Sequence, residues 1–424
     1  MSQVILNQYE GLTRVGVESS FATASGNMKA LEVVAPGNAL GKPKRAMLDV
    51  KDQRRNRHDH PQPVAGLSNA SPVTFSVYLK ALASILDGSA TPHPYSDAAA
   101  LSQQPVLQHW MGGEVTPAAG SIIISSADST HITVSTGQGS RFTVGAFVGV
   151  TTSLGIEPRR VVGIATDTLQ LFPPLLGTPV TPTGVVRNSY TYFLARTHTG
   201  TMTVETAYSE PGVSSPSRVT QRRALGVHGS VDLSMKRGEI PTFAFQGEAV
   251  SHTDPGELSI DVSPTVDDMG APMVFDPQTM LGSLTLPAEA VLDELSVKIP
   301  ARWTKVPGHG TNGVAQVVRT NAQDTPIEVG FRVLFDAAQW AAFDASTLEH
   351  LLLWTSVGTG SAQRIFGIHV PRFAITEEPQ EEAMDNVVAV TVKGRAFQDT
   401  TIQAAPAPGA TTDVVLSNVL AFLL

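Results

Sequence analysis

The chain has 424 residues, a net charge of −9, 42% hydrophobic and 16% charged residues, and no cysteine. That length suggests two or three domains, and the lack of cysteine excludes disulfides and thiolate metal sites. The negative balance argues against tight nucleic-acid binding, which needs a basic footprint, and no apolar run reaches the length of a membrane span.

Low charge combined with 36 Gly and 29 Pro, and with abundant Thr, Ser and Val, gives an all-β composition. The opening MSQVILNQYEGLTRV has no charged region followed by an apolar core, so a chain made in a cytoplasm without a signal peptide is expected. Up to about Gly26 the sequence is Ser/Gly-rich around one apolar cluster, Val4–Leu6, and reads as an arm. Met28–Pro36 reads as a strand. A basic loop follows, carrying Lys42, Lys44, Arg45, Arg54, Arg55 and Arg57. It is either a solvated loop or one that reaches a neighbouring subunit. Val73, Phe75 and Val77 then alternate as in a strand, and Leu79, Leu82 and Ile85 take up helical spacing until Gly88.

Between residues 120 and 186 the texture changes to short strands at regular spacing, with Gly and Pro turns and Pro-rich borders. This predicts a small inserted β-domain. Tyr190–Thr206 resumes longer strands and leads to a hairpin. Val227–Met235 and Pro241–Val250 alternate on either side of the turn Lys236-Arg237-Gly238-Glu239. Val231, Leu233 and Met235 share a face with each other, as do Phe243 and Phe245.

A second pass begins after a Pro/Asp linker. Leu292–Pro300 echoes Met28–Pro36. Thr325-Pro-Ile-Glu-Val-Gly-Phe echoes Ser71-Pro-Val-Thr-Phe-Ser-Val, and each is followed by a helical stretch, in the second copy DAAQWAAFDASTLEHLLLW. Gly394-Arg395-Ala396 echoes Gly247-Glu248-Ala249. The first pair is displaced by 264 positions and the last by 147, and the difference matches removal of the insert with its borders. Repeated order of this kind predicts two copies of one fold.

Catalytic constellations are not evident. The chain lacks a P-loop, a Rossmann fingerprint, Gly-x-Ser-x-Gly and His-Glu-x-x-His. His58 and His60 flank Asp59 in basic surroundings with no third ligand nearby, and His198 and His228 read as structural histidines on strands. The carboxylates Asp267 and Asp268, and Glu377, Glu378, Glu381 and Glu382, lie in Pro-punctuated polar segments, which suits solvated loops better than acid–base work. No enzyme, cofactor or metal is expected. The basic loop and the acidic turn Glu377–Asp385, on separate copies of the fold, are the candidate subunit-contact charges.

The hairpin LSMKRGEIPTFAFQGEA, the segment TPIEVGFRVLFDAAQW and the late strand ending in Gly-x-Ala resemble the tail tube proteins of long-tailed bacteriophages. The resemblance covers 28–82 with 190–250, and again 292–397. It implies β-sandwich or barrel units with a flanking helix, six of which close a ring, with rings stacked into the channel for genome ejection. It also implies a virion tail location, and as partners further copies of the chain, the tail terminator, distal tail and tape-measure proteins, and double-stranded DNA passing without specific binding. Two units per chain would make the ring a trimer. The expected domains are 1–119 and 187–265 for the first unit, 120–186 for an insert on the outer surface, and 266–424 for the second unit. The alternative reading is a multi-module surface or carbohydrate-binding β-sandwich protein. It predicts an aromatic binding face, yet aromatics are 6% and the four Trp are scattered.

Overall fold

The computed structural model describes residues 11–26, 28–31, 40, 45–48, 64–68, 71–80, 103–117, 121–195, 200–209, 219–258, 273–275, 292–300, 302–309, 313–319, 326–334, 344, 349–359, 363–384, 387–398 and 412–424. The protein is mainly β. In chain order it runs through β1 (Gly11–Val17), β2 (Lys29–Leu31), β3 (Arg45–Leu48), β4 (Val64–Ser68), β5 (Ser71–Tyr78), α1 (Gln104–Met111) and β6 (Gly112–Val115). Then come β7 (Ser121–Ala127), β8 (His131–Val134), β9 (Phe147–Thr152), β10 (Gly155–Ala165), β11 (Thr168–Phe172) and β12 (Val185–Asn188). The chain continues with β13 (Tyr190–Leu194), β14 (Met202–Ser209), β15 (Val219–Lys236), β16 (Thr242–Ala249) and β17 (Ser251–Leu258). The last third holds β18 (Leu292–Lys298), β19 (Trp303–Pro307), β20 (Val314–Arg319), β21 (Ile327–Leu334), β22 (Glu349–Val357) and β23 (Arg364–Ile375). It ends with β24 (Gln380–Met384), β25 (Val387–Phe397), α2 (Thr412–Leu416) and β26 (Leu420–Leu423).

The predicted hairpin forms as β15 and β16. Val231 faces Phe245 and Leu233 faces Phe243 across the ladder, all four buried, and Gly238 takes the positive φ of the turn. Alternation in the sequence thus becomes a two-faced ribbon. β15 is 18 residues long and changes partners along its length. Its first half lies between β14 and β17, and its second half between β16 and β18. Pairing of Asp232–Lys236 with Glu294–Lys298 joins the two halves of the chain into one sheet of 16 strands.

The same strand order occurs on both sides of this seam. The first half runs β14·β15·β16·β5 and the second runs β22·β23·β25·β21, every pair antiparallel. The two Gly-x-Ala triplets have one physical cause. A side chain at Gly247 would meet the His228 carbonyl at 2.2 Å and the Phe245 ring at 2.8 Å, and one at Gly394 would meet the Ala374 carbonyl at 2.3 Å and the Phe373 ring at 2.4 Å. In each copy the neighbouring strand closes onto bare backbone under a phenyl ring. Register differs by two residues: Gly247 faces Val73, whereas Gly394 faces Val329, two beyond the counterpart Ile327. A shift of two keeps every side chain on its own face.

Three expectations are corrected. Gly11–Val17 is not part of an arm but a sheet strand between β14 and β2, with Val15 fully buried. Glu349–Trp354, the end of the predicted second helical stretch, lies in strand β22, because Leu351–Trp354 are buried on both faces and pair with β23. Of the echo of Met28–Pro36 in Leu292–Pro300, the described part differs in pairing: β18 lies between β15 and β21, whereas Lys29–Leu31 pairs with β1, and Glu32–Pro36 lie outside the described residues. The segment Leu82–Leu86 and the apolar cluster Val4–Leu6 lie outside the described residues. The sequence reading did not anticipate α1, which starts with Pro105 in its first turn and stops at Gly112 with φ 88°.

Residues 121–188 form the inserted domain, a closed barrel in the order β10-β11-β8-β7-β12-β9 around its own core of Ile122, Ile124, Val148, Val150, Val161 and Leu169. It is docked on the second half and the C-terminus. Phe147 stacks on Phe422 at 4.1 Å, and both belong to a separate buried cluster with Ile156, Trp354, Ile365 and Leu424. Buried Arg160 donates to the carbonyls of Gly145, Val414 and Val415, so a barrel cation satisfies the end of α2. His369 is fully buried at this interface, 5.4 Å from the Phe147 ring, and neither ring nitrogen has a hydrogen-bond partner among the described residues.

Phe243 packs edge-on against Trp110 of α1 at 5.5 Å and Phe366 of β23 at 6.0 Å, tying both halves to one core. Phe243→Ala is expected to cost about 3–5 kcal/mol, read from urea unfolding. Burial pushes the His369 imidazole well below its ordinary value, and the nearby Arg160 and His350 push the same way. The unfolded chain takes up a proton at this site as pH falls below about 6.5, whereas the native state does not, so stability declines by at most about 1.4 kcal/mol per pH unit. His369→Leu should flatten that decline and leave stability at neutral pH intact. An unchanged slope in urea midpoints between about pH 6.5 and 5 would contradict this.

Candidate assembly surface

One face of the joined sheet is apolar and the other is built from charges in register. Leu233, Met235, Leu295, Val297, Val329, Phe331 and Val392 face the core. The alternate positions form cross-strand rows. Asp232 faces Lys298, Lys298 faces Glu328, and Glu328 faces Arg395, so charge sign alternates over four adjacent strands. In a second row Lys236 faces Glu294 and Glu294 faces Arg332. Opposite charges directly across a ladder contribute about 0.2–1 kcal/mol each, and the order also disfavours a slipped register.

The row between them is small: Ser234, Ser296 and Gly330, followed by Lys393. Above it the chain leaves β23, bulges out at Glu377–Pro379 and continues in the same direction along β25 as β24. This overhang and the small row enclose a groove of about 420 Å³, with Gly330 and Ser296 as floor and Arg332, Lys393, Glu377 and Glu382 as walls. Arg332 is the hub. Its Nε donates to Asp293 Oδ2 at 2.8 Å and its Nη2 reaches the same oxygen, with Glu294 at 3.8 Å and Glu382 at 3.7 Å. Hydrogen bonding to Asp293, more than the charges of Glu294 and Glu382, raises the guanidinium above its ordinary value. A register shift between Leu292 and Glu294 gives Asp293 and Glu294 access to the same cation.

Of the predicted contact charges, Glu377, Glu378, Glu381 and Glu382 are all exposed on this overhang. Two of them have partners in their own sheet, Glu377 with Lys393 at 3.4 Å and Glu382 with Arg332. Arg45 begins β3, and Lys42, Lys44, Arg54, Arg55 and Arg57 lie outside the described residues, as do His58, His60, His198, Asp267 and Asp268. His228 is a satisfied structural histidine: its Nδ1 is 2.9 Å from the Gly226 carbonyl and its Nε2 is 3.3 Å from Glu248. Burial pushes its imidazole below the ordinary value.

The sequence reading missed a latch at this histidine. The β19–β20 hairpin lies against β15 and β16 through Trp303, whose Nε1 donates to the Gly229 carbonyl at 2.8 Å and whose ring stacks on His109 at 4.9 Å, and through Lys305, 2.5 Å from Glu248. Nothing in the spacing of four scattered Trp points to it.

Two carboxyls, buried Glu18 and half-buried Glu114, have raised affinity for protons. Burial pushes Glu18 up, while hydrogen bonds from Thr201, Gly226, Thr203 and Ala22 hold it back. Burial likewise pushes Glu114 up, against hydrogen bonds from Gln104 and Gln108. Each is consumed in joining elements rather than presented to a cleft. Among the described residues no group of three His, Asp or Glu is placed to hold a metal ion. What the surface can do is present a fixed pattern of ions beside a strand edge.

Arg332→Met leaves Asp293, Glu294 and Glu382 without their shared cation, and should lower stability by about 1 kcal/mol in dilute buffer and less at 1 M salt. Asp293→Asn in the same chain should recover part of the loss, and simple additivity of the two changes would show that the hub does not couple. Set against protein-family models and against curated proteins, the chain matches no family model and no curated protein.

Proposed function

We propose that this chain is a structural subunit of a bacteriophage tail tube, three copies closing a ring of six similar units that stacks into a channel for genome ejection. The observation that carries the reading is the repeated four-strand order, with its two copies joined edge to edge through β15 and β18 into one sheet. A chain that continues its own sheet from one unit into the next already contains, within itself, one of the six joints of such a ring. Extending that pairing from chain to chain removes the open edges that a sheet of this size otherwise exposes. The net charge of −9 suits a channel through which DNA passes without sticking, since fixed carboxylates repel phosphate. The barrel is assigned to the outer surface because the second half has no counterpart of it, and the tube's other partners follow as terminator, distal tail and tape-measure proteins.

Electron microscopy and mass measurement on the purified chain test this. Hollow tubes or rings are expected, with a ring mass three times the 44.8 kDa of the chain. A monodisperse monomer at high concentration contradicts the assembly, and a ring of six full chains contradicts the trimer.

A further inference from the structure

The joint between the two halves also specifies where one chain meets the next. β15 carries β16 on one side of Asp232–Lys236 and β18 on the other. In the second half the equivalent strand is β23 continued by β24, which follows β25 as β15 follows β16. The continuation contains a bulge: Thr376 N donates to the Lys393 carbonyl at 3.0 Å and Glu377 N reaches the same oxygen at 3.4 Å. Matching Gly394 to Gly247 places Gln380 where Asp232 stands and Met384 where Lys236 stands. The side of β15 that holds β18 therefore corresponds to the side of β24 away from β25. Among the described residues no strand pairs there.

Backbone direction along this edge follows from the same bulge. N–H and C=O groups alternate sides along a strand, so Thr391 and Ala389 face β24 as Lys393 does. They stand opposite Gln380 and Glu382, whose backbone is thereby turned toward β25. The N–H groups of Glu381 and Ala383 point the other way, and both residues are exposed.

We infer that the edge of β24 that no described strand pairs meets a second copy of this chain, on the β5 side of that copy's first half. This inference rests on the tube reading. Inside the chain, the second half of β15 receives the strand that lies beside β21. Between chains, β24 receives the β5 side of the next copy's first half, β5 being the counterpart of β21 in strand order. The contact is head to tail, using different surfaces of the two copies, which closes a ring when successive rotations add to a full turn. The acidic side chains of the overhang then have a second role. Glu377, Glu378, Glu381 and Glu382 charge the edge in the free chain, which keeps it from pairing with unrelated strands.

Ala383→Pro removes an N–H from the free edge without removing one from the β25 ladder, whereas Glu382→Pro removes one from the ladder itself. The first variant should fold with the circular dichroism of the parent chain and lose ring or tube formation by about tenfold or more in sedimentation. The second should be the less stable monomer. Hydrogen exchange on the unmutated chain gives a readout independent of variant folding: the amides of Glu381 and Ala383 should slow by about tenfold or more on assembly, and those of Gln380 and Glu382 much less. A parent chain that never assembles overturns the tube reading and this inference with it. A parent chain that assembles without protecting Glu381 and Ala383, or an Ala383→Pro variant that assembles as well as the parent, overturns the edge assignment and leaves the tube reading standing.

Discussion

The structure depends on one strand belonging to two neighbourhoods. At about 3.3 Å per residue, an 18-residue strand is about 60 Å long, too long to stay in a single small twisted sheet. β15 resolves this by changing partners near Gly226, where φ is 63°. A buried carboxylate fixes the change: Glu18 accepts from Gly226 N and Ala22 N at 2.9 Å and from the hydroxyls of Thr201 and Thr203. Four donors around one oxygen pair hold the end of β1, the start of β14 and the pivot of β15 together. Beyond the pivot, the strand offers its second half to β16 and β18, and the two halves of the molecule become one sheet.

A sheet continuous across a repeated strand order has consequences for both faces. The inner face shares one core, in which Trp110, Phe243 and Phe366 come from three separate parts of the chain. The outer face must then tolerate charges from both halves side by side, and it does so by alternating their sign across β15, β18, β21 and β25. The barrel adds a second constraint. Gly149 leaves room for Leu424, and Arg159 lies 5.6 Å over the Trp354 ring, so the insert is fastened to the half of the chain that does not contain it. Burial lowers the Arg159 guanidinium to about 10, and the adjoining Glu157 opposes that shift.

Much of this was legible in the sequence where the signal was local. Alternation at Val231–Met235 and Phe243–Phe245 gave the hairpin with its buried face, and Gly/Pro punctuation bounded the barrel to within a few residues. The Gly-x-Ala echo was readable because close approach of a strand leaves glycine as the residue that fits. Helix and strand were confused at Leu351–Trp354, since a continuous apolar run has no period to read and both faces are buried. Gly11–Val17 carries only three large apolar side chains among small and polar ones, so its place inside the sheet came from its partner β14 rather than from its own pattern. The Arg332 hub was out of reach for another reason. Asp293, Arg332 and Glu382 are dozens of residues apart, and only ladder register brings them together. The docking of the barrel on α2 and β26 is hidden likewise, because it joins Phe147 and Arg160 to the last dozen residues.

The central claim is that the seam inside the chain and the seam between chains are the same joint. A cryo-electron microscopy reconstruction of the assembled particle, computed without imposed symmetry, tests it most directly. The account predicts a threefold ring in which a rotation of about 60° carries β14·β15·β16·β5 onto β22·β23·β25·β21 and the β15·β18 seam onto the contact at β24. A ring in which the two halves lie at different radii, or in which β24 faces solvent while other surfaces join the chains, would contradict it.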